Sequence, residues 1–481
     1  MHNQEMSRRG FLKAAGLTVT LASLAACAPK PLPVPTQPAQ PEQPAAASAT
    51  QAPIPAPPQQ VIIKTCDLVA EDTTGPGVFV RVLYEEFAEL FPNIKVDHLP
   101  YPDVGVEKRK EYWLTAMGEG GYDIVRLQTN KWAWEFAALG KAMQMDEYIP
   151  LYYQEDWDSL YPVVKTLCSY EDHPVMLPGG TELHGMVVRR DYLKECGYDE
   201  TFVPKNWPEF LKMIADLTTD KYYGFQWKTY MRAMSEFLHM NGGDFATEAP
   251  DKTITLHFQS QEVVEVCEML KSCIYPTRYI QQDTLQDFAG NLNAFQQGQS
   301  ATFNFVPSWV NWLFSVAGFT PEQLNYFCYP VGTSGEAGTS MRKPYVDVGC
   351  YGWVCNPYST PEQRDAAAQY VCWMFSKENI KKQAKWWEEN ELQGAFASPF
   401  SDVPWTTVST GLPEWWAEPL NDMLAKGDAD PAPDYAGYDY FMAGVAKMLI
   451  DEKSDVKAIL AESEQIARRE WLDEYHKSLK A

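Results

Sequence analysis

From Val61 onward, short runs of β-branched residues alternate with segments whose apolar residues recur at helical spacing, and this alternation constrains the fold more than any other feature. Val61-Ile62-Ile63 reads as a strand. Val78 to Phe91 has apolar residues at Val78, Val82, Phe87 and Leu90 and stops at Pro92, so it reads as a helix; Ile94-Lys95-Val96 returns to strand. These three form a βαβ unit. A second helix, Glu107 to Met117, leads through Gly118-Glu119-Gly120-Gly121 into the strand Tyr122 to Leu127, and a third, Trp134 to Leu139, ends at Gly140. The pattern calls for α/β architecture, and roughly 420 residues of body suit two lobes better than one core.

The first sixty residues stand outside that body. Ser7-Arg8-Arg9-Gly10-Phe11-Leu12-Lys13 has the form of a twin-arginine export signal, with Arg8 and Arg9 as its readout. The apolar run Ala14 to Ala26 is too short to span a bilayer and closes on Leu24-Ala25-Ala26-Cys27, the form of a lipobox. Residues 1–26 are therefore read as a signal peptide and Cys27 as a lipidated anchor. Residues 27–60 are mostly Pro, Ala, Gln, Thr and Ser and cannot bury enough apolar surface to fold. They form a disordered tether that reaches at most roughly 100 Å. The expected location is the outer face of the cell membrane, extracellular or periplasmic.

With 64 acidic against 40 basic residues the chain carries a net charge of -24, which disfavours nucleic acid and anionic lipid as partners. Ten cysteines less the lipidated one leave an odd number, so at least one thiol is free. Cys350 and Cys355 fall on opposite faces of a strand, and Cys267 and Cys273 are about 9 Å apart along a helix, so neither pair is placed to bond. Without a Cys-x-x-Cys, these residues read as buried small apolar groups.

Several segments, in order, resemble a known family. Glu85-Glu86-Phe87 with Phe91-Pro92-Asn93-Ile94-Lys95-Val96, then Tyr122-Asp123-Ile124-Val125, then Ala138-Leu139-Gly140-Lys141-Ala142 with Met145-Asp146-Glu147-Tyr148, resemble the N-terminal lobe of extracellular solute-binding proteins of the maltose-binding type. These are receptors of ABC sugar importers. Val187 to Leu193, Pro204 to Phe210, Asn241-Gly242-Gly243, Phe295 to Ala301 and Val306-Pro307-Ser308-Trp309 resemble later motifs of the same family. Arg189-Arg190 in place of Asn-Lys, and the aromatic run Thr302 to Phe305, depart from it and leave the ligand open.

The resemblance implies a two-lobe periplasmic-binding-protein fold of type II, closing by hinge motion on a central cleft. It places lobe one at 61–180 with 331–385 and lobe two at 185–327 with 392–481. Crossings are expected at Leu177-Pro178-Gly179-Gly180-Thr181-Glu182, at Tyr329-Pro330-Val331-Gly332 and at Leu392-Gln393-Gly394-Ala395, the adjacent glycines serving either as a hinge or as a plain turn. It also implies a carbohydrate ligand, ABC permease subunits as partners, attachment to the membrane by lipid only, a monomer, and no cofactor or metal.

Sugars are held by aromatic faces against ring C–H groups and by carboxylates, amides and guanidinium groups on the hydroxyls. Matching the family's motifs, the candidates are Asn130 and Lys131 in the loop after the Asp123 strand, Glu182 at the first crossing, Tyr230 and Arg232 before Asn241, Trp309, Tyr351, and Tyr440 or its neighbour Tyr438. Trp353, beside Tyr351, reads as core. Arg126, Lys131 and Arg232 suit a uronate or a phosphorylated sugar, yet the same groups bind neutral hydroxyls. A polyol, peptide or polyamine is the alternative ligand. The chain has no Gly-x-Ser-x-Gly, His-Glu-x-x-His, Gly-x-Gly-x-x-Gly or Walker lysine loop, so catalysis is not expected, an extracellular glycan-active enzyme being the remaining alternative.

Overall fold

The computed structural model describes residues 60–66, 75–99, 106–118, 120–227, 231–249, 251–281, 288–306, 310, 312–390, 398–404, 413–429 and 437–478. The chain divides into 1–57 and 58–481, and every described element belongs to the second unit. Cys27, Arg8 and Arg9 lie outside the described residues.

The first sheet is built on parallel strands β1 (Val61–Thr65), β2 (Ile94–His98) and β3 (Ile124–Leu127). Helix α1 (Gly75–Leu90) joins β1 to β2, and α2 (Val106–Gly118) joins β2 to β3. On α1 the buried stripe is Phe79, Leu83 and Phe87, one helical face at intervals of four, while Val82 and Leu90 are 43% and 56% exposed. The expected helix therefore exists with its buried face rotated. Tyr370 and Trp373 set the phase, standing 5.0 and 5.4 Å from the Phe87 ring.

Helix α3 (Asn130–Ala138) begins four residues before the expected Trp134, because Thr129 caps it: its side chain accepts from the Lys131 N–H. Asn130 and Lys131 thus belong to a helix's first turn rather than to a loop. A further helix, α4 (Pro162–Cys168), precedes β4 (Leu177–Leu183), which runs with only His184 between into β5 (Gly185–Arg189) of the second sheet.

That second sheet comprises β5, β6 (Tyr223–Gln226), β7 (Ser300–Phe305) and β8 (Leu324–Phe327), in the order β8-β5-β7-β6. Helices α5 (Trp207–Leu217), α6 (Met231–Met240) and α7 (Gln261–Ile274) supply much of its own core, in which Phe210, Phe225, Phe237 and Phe258 are fully buried.

The first sheet is completed by β9 (Asp347–Cys355), antiparallel to both β3 and β4, and by β10 (Asp428–Ala429). Helices α8 (Pro361–Met374) and α9 (Lys377–Glu389) follow β9, α10 (Glu414–Lys426) precedes β10, and α11 (Gly437–Ile450) with α12 (Val456–Ala467) pack on α7.

The second expected crossing falls elsewhere. Val331 exchanges backbone hydrogen bonds with Lys205 and Trp207, Ser334 N–H donates to Asn241, and Met341 N–H donates to Glu262, so 331–345 stays on the second core and joins the first sheet only at Asp347. Leu392 to Ala395 lie outside the described residues, but Ser401 N–H donates to Ser159 and Phe400 bridges Leu160, which keeps 398–403 with the first core.

Gly179 and Gly180 are strand residues of β4, with a bulge opposite Tyr351 and Gly352. A Cβ at Gly179 would overlap Cζ3 of Trp353 and lie 2.8 Å from Cε2 of Tyr351, so close ring packing demands glycine there. The nine cysteines of the body are free thiols and seven are buried. Burial pushes Cys273 up to about 12 and holds it neutral.

Candidate functional site

In open α/β sheets, ligands bind beyond the carboxyl ends of the parallel strands, where neighbouring loops diverge. Here β3 ends at Leu127, opposite Gly352, and the rest of β9 continues beyond it beside β4 through the pairs Tyr351–Gly180, Cys350–Thr181, Gly349–Glu182 and Val348–Leu183. Two residues on, Gly185 of β5 faces Phe305, the carboxyl end of β7. The crossing strands therefore bring the carboxyl ends of both sheets to one place. No local signal in the chain announces this, since it depends on pairings between residues more than a hundred positions apart.

Asn130 is 2% exposed, and its Oδ1 accepts from the Cys350 N–H at 3.5 Å, prolonging the ladder that β3 leaves at Leu127. Its Nδ2 is buried without a hydrogen-bond partner. Glu182 is two residues from Gly180 on the strand bearing the Tyr351 contact, and its backbone pairs with Gly349. Asn130 and the backbones of Glu182 and Tyr351 thus lie along the β4–β9 crossing, with Lys131 next to Asn130 in the chain. The side chains of Glu182 and Arg232 are outside the described residues, as are Tyr230 and Trp309. Tyr440 lies on α11, half-buried against the second core, as does Tyr438.

Tyr351 and Trp353 are 6% and 7% exposed, so neither offers an open ring face. The Tyr351 hydroxyl donates to the Gly179 carbonyl at 2.8 Å, and Trp353 stacks on Phe375 at 3.7 Å. Arg126, directly opposite Trp353 in the ladder, holds its Cζ 5.0 Å from the Tyr351 centroid and 5.6 Å from that of Trp353. Tyr351 therefore meets the site through Arg126. On the second sheet, Trp227 directly follows β6, fully buried with its Nε1 unpartnered.

A cavity of about 1090 Å³ also joins the two cores. Trp134, Trp157 and Tyr170 line it from the first core and Lys252, Arg342 and Tyr345 from the second. Across it Lys252 approaches Glu171 at 3.6 Å and lies 4.6 Å from the Tyr170 centroid. Burial pulls the Lys252 ammonium down, but Tyr170 and Glu248 outweigh it and hold the group above its ordinary value.

This cavity lies toward the other face of the crossing strands. Cys350, alternating with Tyr351 along β9, meets Cys168 at the end of α4, and burial followed by that contact pushes the Cys168 thiol well up. Lys165, Thr166 and Ser169, at the same end of α4, line the cavity.

Two α/β layers joined by crossing strands, with a site at the crossing, define a two-lobed binding protein. The model of the bacterial extracellular solute-binding proteins matches residues 83–389, well over half of the chain, and the chain belongs to that family. Its fold is shared with an ABC substrate-binding protein from Listeria monocytogenes in complex with cycloalternan, at 16% identity and TM-score 0.68 over 85% of this chain and 99% of that one. Maltose-bound MalE3 of T. maritima matches at 18% identity and TM-score 0.63 over 84% and 100%. A solute-binding protein from Agrobacterium radiobacter in complex with ribitol matches at 19% and 0.63 over 86% and 100%. No curated protein sequence matches the chain. Among the described residues no helix is long and apolar enough to cross a membrane.

Proposed function

We propose that this chain is the receptor of an ABC importer, binding a carbohydrate between its lobes and passing it to the permease without chemical change. The convergence of both sheets' carboxyl ends on the β4–β9 crossing carries this reading, because it produces a cleft whose ligand touches both lobes and so favours closure. Its structural relatives with cycloalternan, maltose and ribitol support a polyhydroxylated ligand, and the ribitol complex favours an acyclic polyol as the second reading. Within it, lobe one takes 61–183 with 347–404, and lobe two takes 185–345 with 437–478. Asn130, Lys131, Glu182, Tyr230, Arg232 and Trp309 are the proposed contacts. The receptor is a monomer, exported through Arg8 and Arg9 and lipid-anchored at Cys27.

A thermal-shift screen of sugars and polyols, followed by calorimetric titration, tests the reading. One ligand class should raise the melting temperature in proportion to its affinity and be recovered uncut. Trp309→Ala should weaken the best ligand by about tenfold to a thousandfold, from lost stacking and apolar burial, and leave the unliganded melting temperature unchanged. Cleavage of the ligand, or silence across both sugars and polyols, would sink the proposal.

A further inference from the structure

Resting on that carbohydrate reading, we infer that the ligand is an acidic sugar whose carboxylate is received by Arg126. Arg126 is half-buried, and its Nε is shielded from solvent without an acceptor. Four other arginines have partners within the chain: Arg189 with Asp191 at 2.6 Å, Arg468 with Glu464 at 2.7 Å, Arg342 with Asp244 at 3.4 Å and Arg190 with the Asn325 side-chain Oδ1 at 2.6 Å, whereas Arg109 and Arg364 share the buried Nε without an acceptor but, among the described residues, are not held between two aromatic rings. Among the described residues no carboxylate pairs with Arg126, although acidic residues outnumber basic ones by 64 to 40. A guanidinium has five donors and no acceptor, and burying one without a partner is costly. An arginine kept at the crossing without a described counter-ion fits a partner that arrives from solution.

The geometry suits a carboxylate. Tyr351 and Trp353 hold the guanidinium at 5.0 and 5.6 Å, the Tyr351 ring is itself fixed by the Gly179 carbonyl, and Trp353 is backed by Phe375. The planar fork is thus restrained before the ligand arrives, so less rotamer entropy is lost on pairing. A planar fork matches a planar carboxylate with two parallel hydrogen bonds, whereas a tetrahedral phosphate gains less from that restraint. The net charge of -24 repels anions at long range, so selection for an acidic sugar has to come from a local cation.

Calorimetry on the full chain with matched pairs decides the matter: galacturonate and glucuronate oligosaccharides against their galactose and glucose counterparts, with galactose and glucose phosphates as a third arm. The acidic member should bind about tenfold to a hundredfold tighter than the neutral one, the range of a charge-assisted hydrogen bond. Rising salt should narrow that gap in the wild type. Arg126→Gln should abolish the preference, and Arg126→Lys should retain part of it. If Arg126→Gln fails to fold, the lysine variant and the salt dependence still carry the test. Neutral sugars binding as well as acidic ones, a preference that survives Arg126→Gln, or tighter binding of the phosphates would each overturn the inference and leave the carbohydrate reading standing. Failure of every sugar to bind would overturn the carbohydrate reading itself.

Discussion

At residue scale, Gly179 sets the packing of the two rings behind Arg126. The sequence shows a Gly-Gly pair and suggests freedom of rotation; the structure gives the first glycine a different purpose, leaving room for two rings. Gly179→Ala forces its Cβ into Trp353 and against Tyr351, and overpacking of that kind costs about 1–3 kcal/mol. Because Tyr351 and Trp353 position Arg126, the same change should weaken ligand binding. Urea denaturation and ligand titration of this one variant check both effects, and a variant as stable as wild type would show that the rings have space to retreat. Asn130 is a candidate contact from motif order alone, and it lies not in a loop but in the first turn of a helix that Thr129 caps. The grip of Tyr351 and Trp353 on Arg126 was not legible, since it depends on a cross-strand register.

At element scale, helices were easier to find than to orient. The run Val78 to Leu90 satisfies helical spacing in more than one phase, and the aromatic residues of α8 choose Phe79, Leu83 and Phe87 as the buried stripe. Phe87→Ala should therefore destabilise the body by about 3–5 kcal/mol, the usual loss for a buried aromatic, while Leu90→Ala, at an exposed position, should change stability by no more than about 0.5 kcal/mol. Denaturant melts of the two variants compare these phases directly, and equal losses would refute the observed one. Where a helix has its cap in the sequence, the start is readable: Thr360 and Gln363 form a reciprocal capping box at α8, and Asn206 caps α5.

At the scale of the whole molecule, the chain divides into 1–57 and 58–481, and every described element belongs to the second unit. On the proposed lipid anchor, Cys27→Ala should abolish fatty-acid labelling and release the protein into the soluble fraction while leaving ligand affinity unchanged, because Cys27 lies outside the unit 58–481 that carries the proposed contacts. Radiolabelled fatty acid with fractionation measures the first two outcomes and calorimetry the third. Label persisting in the variant would contradict the anchor.

The amino-acid sequence by itself determined the α/β alternation and the resemblance to solute receptors, because each is written in local spacing or motif order. Tertiary structure decided the rest. Which face of α1 is buried, where the chain crosses between lobes, and why Arg126 meets Tyr351 and Trp353 depend on contacts between segments up to hundreds of residues apart. Side-chain volume and backbone pairing settle those contacts only when the whole chain is assembled, so no local reading of the sequence contains them.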